Sequence, residues 1–255
     1  MAEFDNRYMR AQTAGTRADA QHQIDEGLRS YMLSVYNYMA SGVALTGIVA
    51  YAFYAMAVAT DPATGARTLT EFGQVLFASP FKWVVMLAPL GMVFFLSARV
   101  GKMSVGGAQL SFWIFAALMG ASLSSIFLVY AHGSIANVFF ISAATFGALS
   151  LFGYTTKKDL SGWGSFLFMG LIGIIIASVV NIFIGSSALQ FAVSVIGVLV
   201  FAGLTAYDTQ SIKEMYFEGD STAVVSRKAI MGALRLYLDF INLFLMLLQL
   251  FGNRE

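Results

Sequence analysis

Cysteine is absent from this chain, and charged residues and histidines are scarce. The absence of thiols excludes disulfides, thiolate metal sites and cysteine nucleophiles. A formal net charge of +1, with 11% charged residues, leaves no basic surface for nucleic acid. The two histidines, His22 and His132, have no partner at the spacing of metal ligands. Any electrostatic function must therefore depend on a few charged residues at particular positions.

Apolar residues dominate the composition. They make up 58% of the 255 residues, and the mean hydropathy of +0.73 excludes a soluble domain. A helix needs about 20 apolar residues to cross a bilayer. We therefore expect an all-α integral membrane protein with one seven-helix transmembrane domain over residues 31–255. The seven predicted spans are residues 32–59, 83–98, 108–131, 135–154, 163–184, 189–207 and 229–251.

The seventh span is the most polar of these segments, with Arg235, Asp239 and Asn242 inside it. Polar groups in a transmembrane helix usually face neighbouring helices or water rather than lipid. We therefore predict that the seventh helix lies at the centre of the bundle. The second span is short and contains Pro89, which predicts a kink.

The first 30 residues are polar and lack the apolar core of a secretory signal peptide. We interpret residues 1–30 as a cytoplasmic tail, partly helical or disordered, with a partner-binding helix as the alternative. With this end inside, eleven of the 15 Lys and Arg residues fall in cytoplasmic segments, against three outside. This bias predicts a cytoplasmic N-terminus and an outside C-terminus. A last segment that enters the membrane and returns would instead place the C-terminus in the cytoplasm.

Two aspartates lie in or at the edge of the apolar segments, Asp208 at the end of the sixth and Asp239 inside the seventh. A carboxylate in hydrocarbon costs several kcal/mol, so it usually faces a partner, a cavity or an ion path. The expected topology places both, together with Arg99, toward the cytoplasmic side. Two close carboxylates tend to share a proton, whereas a nearby arginine favours the ionised form. These residues predict a proton-sensitive switch, in which a latch between Asp208 and Arg99 opens on acidification.

Each of these residues also has a simpler interpretation. Arg99 could be an interfacial arginine that snorkels, and Asp208 could solvate a helix end. Arg235, one helical turn before Asp239, could simply neutralise that carboxylate. Asn242 could hydrogen-bond between helices.

The sequence around the aspartates resembles a known family. Ala-Tyr-Asp at 206–208 and Leu-Tyr-Leu-Asp-Phe-Ile-Asn-Leu-Phe at 236–244 are similar to the end of Bax inhibitor-1 family proteins, the transmembrane BAX inhibitor motif proteins, bacterial branch. Lys-Lys-Asp-Leu-Ser at 157–161 and Asn-Ile-Phe at 181–183 also match. The likeness covers residues 31–251 and leaves the tail and the loop at 61–81 outside it.

The resemblance implies six helices around a central seventh and a pH-sensitive calcium leak across a bacterial inner membrane, with a eukaryotic organelle as the alternative. Its paired aspartates, the pH sensor, correspond to Asp208 and Asp239, and its latch arginine most resembles Arg99. It implies no enzymatic activity and no cofactor, with calcium as the transported ion.

A calcium site at these aspartates should be weak. Calcium prefers about six to eight oxygen ligands. Asp208 and Asp239, with Asn242, Tyr207 and Tyr237 nearby as supporting residues, cannot form a tight cage. We therefore predict transient calcium binding in a leak path.

Three other functional classes compete with this hypothesis. An intramembrane aspartyl protease needs Gly-x-Gly-Asp, which is absent before Asp239, and a retinal protein needs a lysine in the last span, which has none. The main competitor is a regulator, because some bacterial relatives in this family are associated with a membrane-bound AAA protease. The protease would then bind and pull on the N-terminal tail, which would serve as its handle. Deleting residues 2–28 should abolish the effect of a regulator and preserve a leak.

Overall fold

The structure, a computed structural model, describes residues 2–60 and 66–254, with side chains from residue 26 onward. Within these ranges seven helices are long and apolar enough to cross a membrane, which confirms the predicted helical membrane fold. In chain order the helices are α1 (Ala2–Ala57), the one-turn α2 (Glu71–Gly73), α3 (Phe81–Arg99), α4 (Val105–Leu123), α5 (His132–Thr155), α6 (Ser161–Ile184), α7 (Ser187–Glu214) and α8 (Thr222–Phe251). Most side chains of the predicted tail lie outside the described residues, so its role as a handle stays a prediction.

The connection between α1 and α3 contains a short hairpin that the all-α prediction missed. Strands β1 (Val58–Thr60) and β2 (Arg67–Leu69) pair in antiparallel orientation. Thr70 fixes the exit from the hairpin, because its hydroxyl donates to the Met56 carbonyl at 2.8 Å and accepts from the Gly73 N–H at 3.1 Å. Two three-residue strands are too short to produce a recognisable alternating pattern.

The last helix, α8, is the most buried of the seven membrane-spanning helices. Of its most apolar stretch 67% is buried, against 11% to 39% for the other spans. It packs against α1, α4, α5 and α7. These contacts explain how a helix with charged residues is shielded from lipid. That all six other helices surround it stays a prediction.

Helix α8 also runs the full length of the bundle. Near its start, Arg227 Nη1 donates to the Met103 carbonyl at 3.4 Å. Beyond its end, the Asn253 carbonyl accepts from the Ala131 N–H at 3.0 Å, and the Asn253 N–H donates to Ser134 Oγ at 2.9 Å. Met103 and Ala131 flank opposite ends of α4. Helix α8 is therefore continuous from one end of α4 to the other, which favours a complete crossing over a segment that returns to the same side; the complete crossing stays a prediction.

Most of the described basic residues gather at one end of the bundle, which we call the basic end. This end carries Arg29, Arg99, Lys102, Lys157, Lys158, Lys213, Arg227 and Lys228. The connection between α5 and α6 is fixed here by Gln210 of α7, whose amide donates to the Lys158 carbonyl at 2.9 Å and accepts from the Leu160 N–H at 2.8 Å. Hydrogen bonds from the Ser161 side chain and N–H hold the pKa of Asp159 below its usual value.

Two pairs of helices approach so closely that only glycine fits at the contact. A Cβ at Gly153 of α5 would lie 2.2 Å from the Ala206 carbonyl oxygen of α7. A Cβ at Gly120 of α4 would lie 2.7 Å from the Thr46 carbonyl oxygen of α1. Small residues at helix contacts let backbones pack tightly in membranes, where no hydrophobic effect drives helices together.

Candidate functional site

A cavity of about 930 Å³ lies between α6, α7 and α8, with Leu90 of α3 at its edge. Along α6 its lining extends over residues 164–182, which is about 27 Å at the helical rise. The hydrocarbon core of a bilayer is about 30 Å thick. The lining of the cavity along α6 therefore extends over most of the thickness of such a hydrocarbon core.

One face of α8 supplies several of the polar residues of this cavity. Arg235, Leu238, Asp239, Asn242 and Met246 all line it. Their spacing of three or four residues places them on one stripe of the helix. The sequence of α8 alone therefore aligns an arginine, a carboxylate and an amide along the cavity wall.

The structure brings the two predicted aspartates together. Asp208 of α7 and Asp239 of α8 both line the cavity, and their carboxyl groups lie within hydrogen-bonding reach of each other. Asp239 is 5% exposed and Asp208 is half-buried. Two carboxyl groups in such contact favour a shared proton.

Arg235 and Asn242 accompany this pair as predicted supporting residues. Arg235 is close enough to attract both carboxylates electrostatically, although its own side chain is largely exposed. The Asn242 amide N–H donates to the Leu238 carbonyl at 2.8 Å. This bond fixes the side chain of Asn242 against its own helix, and its amide oxygen has no hydrogen-bond partner among the described residues.

One oxygen of the Asp239 carboxyl group is left unsatisfied. Its Oδ2 is buried and has no hydrogen-bond partner among the described residues. Leaving a buried polar atom unsatisfied costs about 1–3 kcal/mol, more for a charged group. A group retained at that cost in a cavity is a candidate for contact with a proton, water or cation.

Of the two predicted supporting tyrosines, one lines this cavity and the other lies in the core. Tyr207 lines the cavity and packs over Gly164, where a Cβ would lie 2.6 Å from the tyrosine ring. Tyr237 is fully buried away from the cavity, against Thr46 of α1. The Thr46 hydroxyl donates to the Ala116 carbonyl at 2.8 Å, so the Tyr237 hydroxyl donates to Thr46 Oγ1 at 2.6 Å. Tyr237 thus joins α8 to α1 and α4.

Arg99 lies apart from the acid pair in this arrangement. Its side chain is exposed at the end of α3 and does not line the cavity. Within the described residues it makes no ion pair with either aspartate. Its role as a latch stays a prediction.

Sequence reasoning missed the contribution of α6. This helix has no charged residue, yet it forms one wall of the cavity through residues that include Ser165 and Ser178. Its far half is mostly apolar, with Ile175, Val179 and Ile182 beside Ser178 in the acid-free part of the cavity. The charged residues of the cavity therefore lie toward the basic end, and the lining toward the opposite end is mostly apolar.

The acid pair falls short of a tight metal site. Within the described residues no group of three or more His, Cys, Asp or Glu side chains could hold a metal ion. Asp208 and Asp239 supply at most four carboxylate oxygens, below the about six to eight that calcium prefers.

Comparisons with known proteins agree with this architecture. A family model described as Inhibitor of apoptosis-promoting Bax1 matches residues 28–255. Inner membrane protein YbhL of Escherichia coli (strain K12) is 48% identical over 242 residues, which cover 94% of this chain and 98% of that protein. Uncharacterized protein RP147 of Rickettsia prowazekii (strain Madrid E) is 46% identical over 240 residues, which cover 94% of this chain and 96% of that protein. A Caulobacter vibrioides protein is 45% identical over 259 residues, which cover 100% of both chains.

Proposed function

The chain belongs to the Bax inhibitor-1 family of helical membrane proteins, and on this basis we propose that it is a pH-sensitive calcium leak channel. We place it in a bacterial inner membrane, as YbhL is named, with its N-terminus in the cytoplasm. The proposed proton sensor and transient calcium site is the pair Asp208 and Asp239. The observation that carries the proposal is this buried acid pair in the polar half of a cavity that follows most of the membrane thickness.

Proton binding to the acid pair would control the cavity. In the present arrangement Asp208 contacts Asp239 rather than Arg99, which is the contact that a shared proton favours. Loss of that proton leaves two like charges side by side. Repulsion would then turn Asp208 toward Arg99, and an ion pair between them would join the basic ends of α3 and α7.

Calcium would be the substrate of this path rather than a resident ion. The carboxylates, the free amide oxygen of Asn242 and the Tyr207 hydroxyl offer ligands along the polar half of the cavity. Water would complete the coordination shell. The mostly apolar far half lacks carboxylates, so it would be the barrier that keeps the leak slow.

The proposal is tested by calcium entry into dye-loaded proteoliposomes that contain the wild-type chain. We expect entry at about pH 6 to exceed entry at about pH 8 several-fold, because protonation releases the latch. Liposomes without protein give the background at each pH. Entry no faster than this background at both values, with the protein shown to be folded, would overturn the proposal.

Replacing Arg99 with Gln should raise calcium entry at about pH 8 toward the level at about pH 6. The neutral amide cannot hold an ionised Asp208, so the closed arrangement loses its ion pair. The matched control is Lys102→Gln, which removes an exposed positive charge three residues away. An Arg99→Gln protein that still closes at the higher pH would contradict the latch and leave the acid pair in place.

A further inference from the structure

A second cavity lies on another side of the bundle, in a groove between α1 and α5 that we call the α1–α5 groove. Its volume is about 600 Å³. Along α1 it extends from Arg29 to Tyr36, which is about 10 Å at the helical rise. Its lining residues are Arg29, Met32, Leu33, Tyr36, Phe146, Gly147, Ser150, Leu151 and Tyr154.

The floor of this groove presents no unsatisfied polar atom. Thr209 donates to the Thr205 carbonyl at 2.7 Å, Ser150 therefore donates to Thr209 at 2.9 Å, and the Tyr36 hydroxyl donates to Ser150 at 2.7 Å. Every hydroxyl proton in this chain of bonds has an acceptor. Apart from Arg29 and Tyr154, the remaining lining is hydrocarbon, so the groove suits an alkyl chain and offers little to water.

The mouth of the groove carries positive charge. Arg29 lines it with an exposed side chain. Lys213 lies beside it, with Nζ 5.5 Å from the centre of the Tyr154 ring and a 2.9 Å hydrogen bond to the Tyr154 carbonyl. The described acid nearest in sequence, Glu26, lies one turn before Arg29. Basic pockets between membrane helices bind the headgroups of anionic lipids.

We propose that the α1–α5 groove binds one phospholipid, with an acyl chain along Leu33, Gly147 and Leu151 and an anionic headgroup on Arg29. The groove is shorter than an acyl chain, so it holds only part of the chain. The rest of the chain lies in the lipid bilayer, and the headgroup stays at the basic end. This site is separate from the acid pair, and its test does not depend on calcium flux.

Native mass spectrometry of the purified chain tests this site, with phosphatidylglycerol and phosphatidylcholine that carry the same acyl chains. We expect the first phosphatidylglycerol to bind about fivefold more tightly than phosphatidylcholine, the effect of one basic residue near a headgroup. Arg29→Gln should remove this preference and retain phosphatidylcholine binding. Lys102→Gln, at the same end and outside the groove, should keep the preference. If Arg29→Gln and Lys102→Gln lost the preference for phosphatidylglycerol equally, the proposal would be overturned.

Filling the groove gives the second arm of the test. Neither Gly147 nor Gly173 would place a Cβ within 4 Å of another group, and Gly173 of α6 does not line the groove. Gly147→Leu should lower phosphatidylglycerol binding about tenfold, the loss expected when about 1.4 kcal/mol of acyl-chain contact is removed. Gly173→Leu should leave phosphatidylglycerol binding unchanged. Equal binding by these two variants would overturn the proposal.

Two further measurements separate a lipid from a free anion and do not require a variant to fold. Phosphatidylglycerol with very short acyl chains should bind the wild-type chain much more weakly than the long-chain lipid. Inorganic phosphate should not displace the long-chain lipid. Tight binding of the short-chain lipid, or displacement by phosphate, would show a simple anion site and overturn the acyl-chain groove.

Discussion

Replacing Asp239 with Asn should abolish most of the pH dependence of calcium entry, so that the ratio of entry at about pH 6 to entry at about pH 8 falls from several-fold to about one. Asn has nearly the same volume as Asp but does not titrate, and the acid pair loses the proton that it would share. Calcium entry into dye-loaded proteoliposomes measures this ratio. Asp208→Asn should give the same result, because the proposed sensor needs both carboxyl groups.

The matched control for these substitutions is Asp159→Asn. Asp159 also lies at the basic end, but it is exposed and accepts its hydrogen bond from the Ser161 N–H at 2.8 Å. Asn can accept that bond as well, so the ratio of calcium entry at about pH 6 to entry at about pH 8 should stay at the wild-type value. Thermal unfolding of each purified variant shows whether it is folded. If Asp208→Asn and Asp239→Asn were both folded and both kept the wild-type ratio of calcium entry, the proton sensor would be contradicted.

Replacing Gly153 with Ala should be the most damaging change outside the site. The added Cβ would lie 2.2 Å from the oxygen, 2.9 Å from the carbon and 3.0 Å from the Cα of Ala206. These are main-chain atoms, so α5 and α7 must separate as rigid helices. Overpacking lowers the free energy of unfolding by about 1–3 kcal/mol and sometimes more. We expect the decrease for Gly153→Ala to lie at the upper end of this range. The thermal midpoint in detergent, followed by size-exclusion chromatography, measures it.

Gly147→Ala is the control on the same helix. Open space surrounds a Cβ at Gly147, and Ala is favoured over Gly in helices by up to about 1 kcal/mol. The control should therefore match or slightly exceed the wild-type midpoint, which isolates the steric effect at Gly153. Equal midpoints for the two alanine variants would show that α5 and α7 are not in tight contact.

The seven spans and the acid pair could be predicted from the sequence, because both depend on local properties. Hydropathy identifies a span from its own residues. The alternation of crossings then places Asp208 and Asp239 in the same half of the membrane, without knowledge of helix contacts. The helical repeat also separates Tyr237 from Asp239, since residues two apart lie on opposite sides of a helix. The helical repeat therefore argues against the predicted place of Tyr237 beside the acid pair.

The rest of the site depends on tertiary packing. Helix α6 lines the cavity with apolar residues and serines, such as Ser178, which look the same in sequence as lipid-facing positions. The position of Arg99 depends on how the end of α3 is oriented, and spacing along the chain does not determine this. The contact of Gly153 with Ala206 likewise arises between segments far apart in sequence.

The burial of α8 has a consequence for the synthesis of the protein. The four helices that pack against it, α1, α4, α5 and α7, all precede it in the chain. Because a chain is made from its N-terminus, they can assemble before α8 leaves the ribosome. Arg235 and Asp239 then enter a slot between helices rather than lipid alone. A ribosome that stopped before Thr222 would leave that slot open, and quality-control proteases could recognise the unfinished bundle by its uncovered faces.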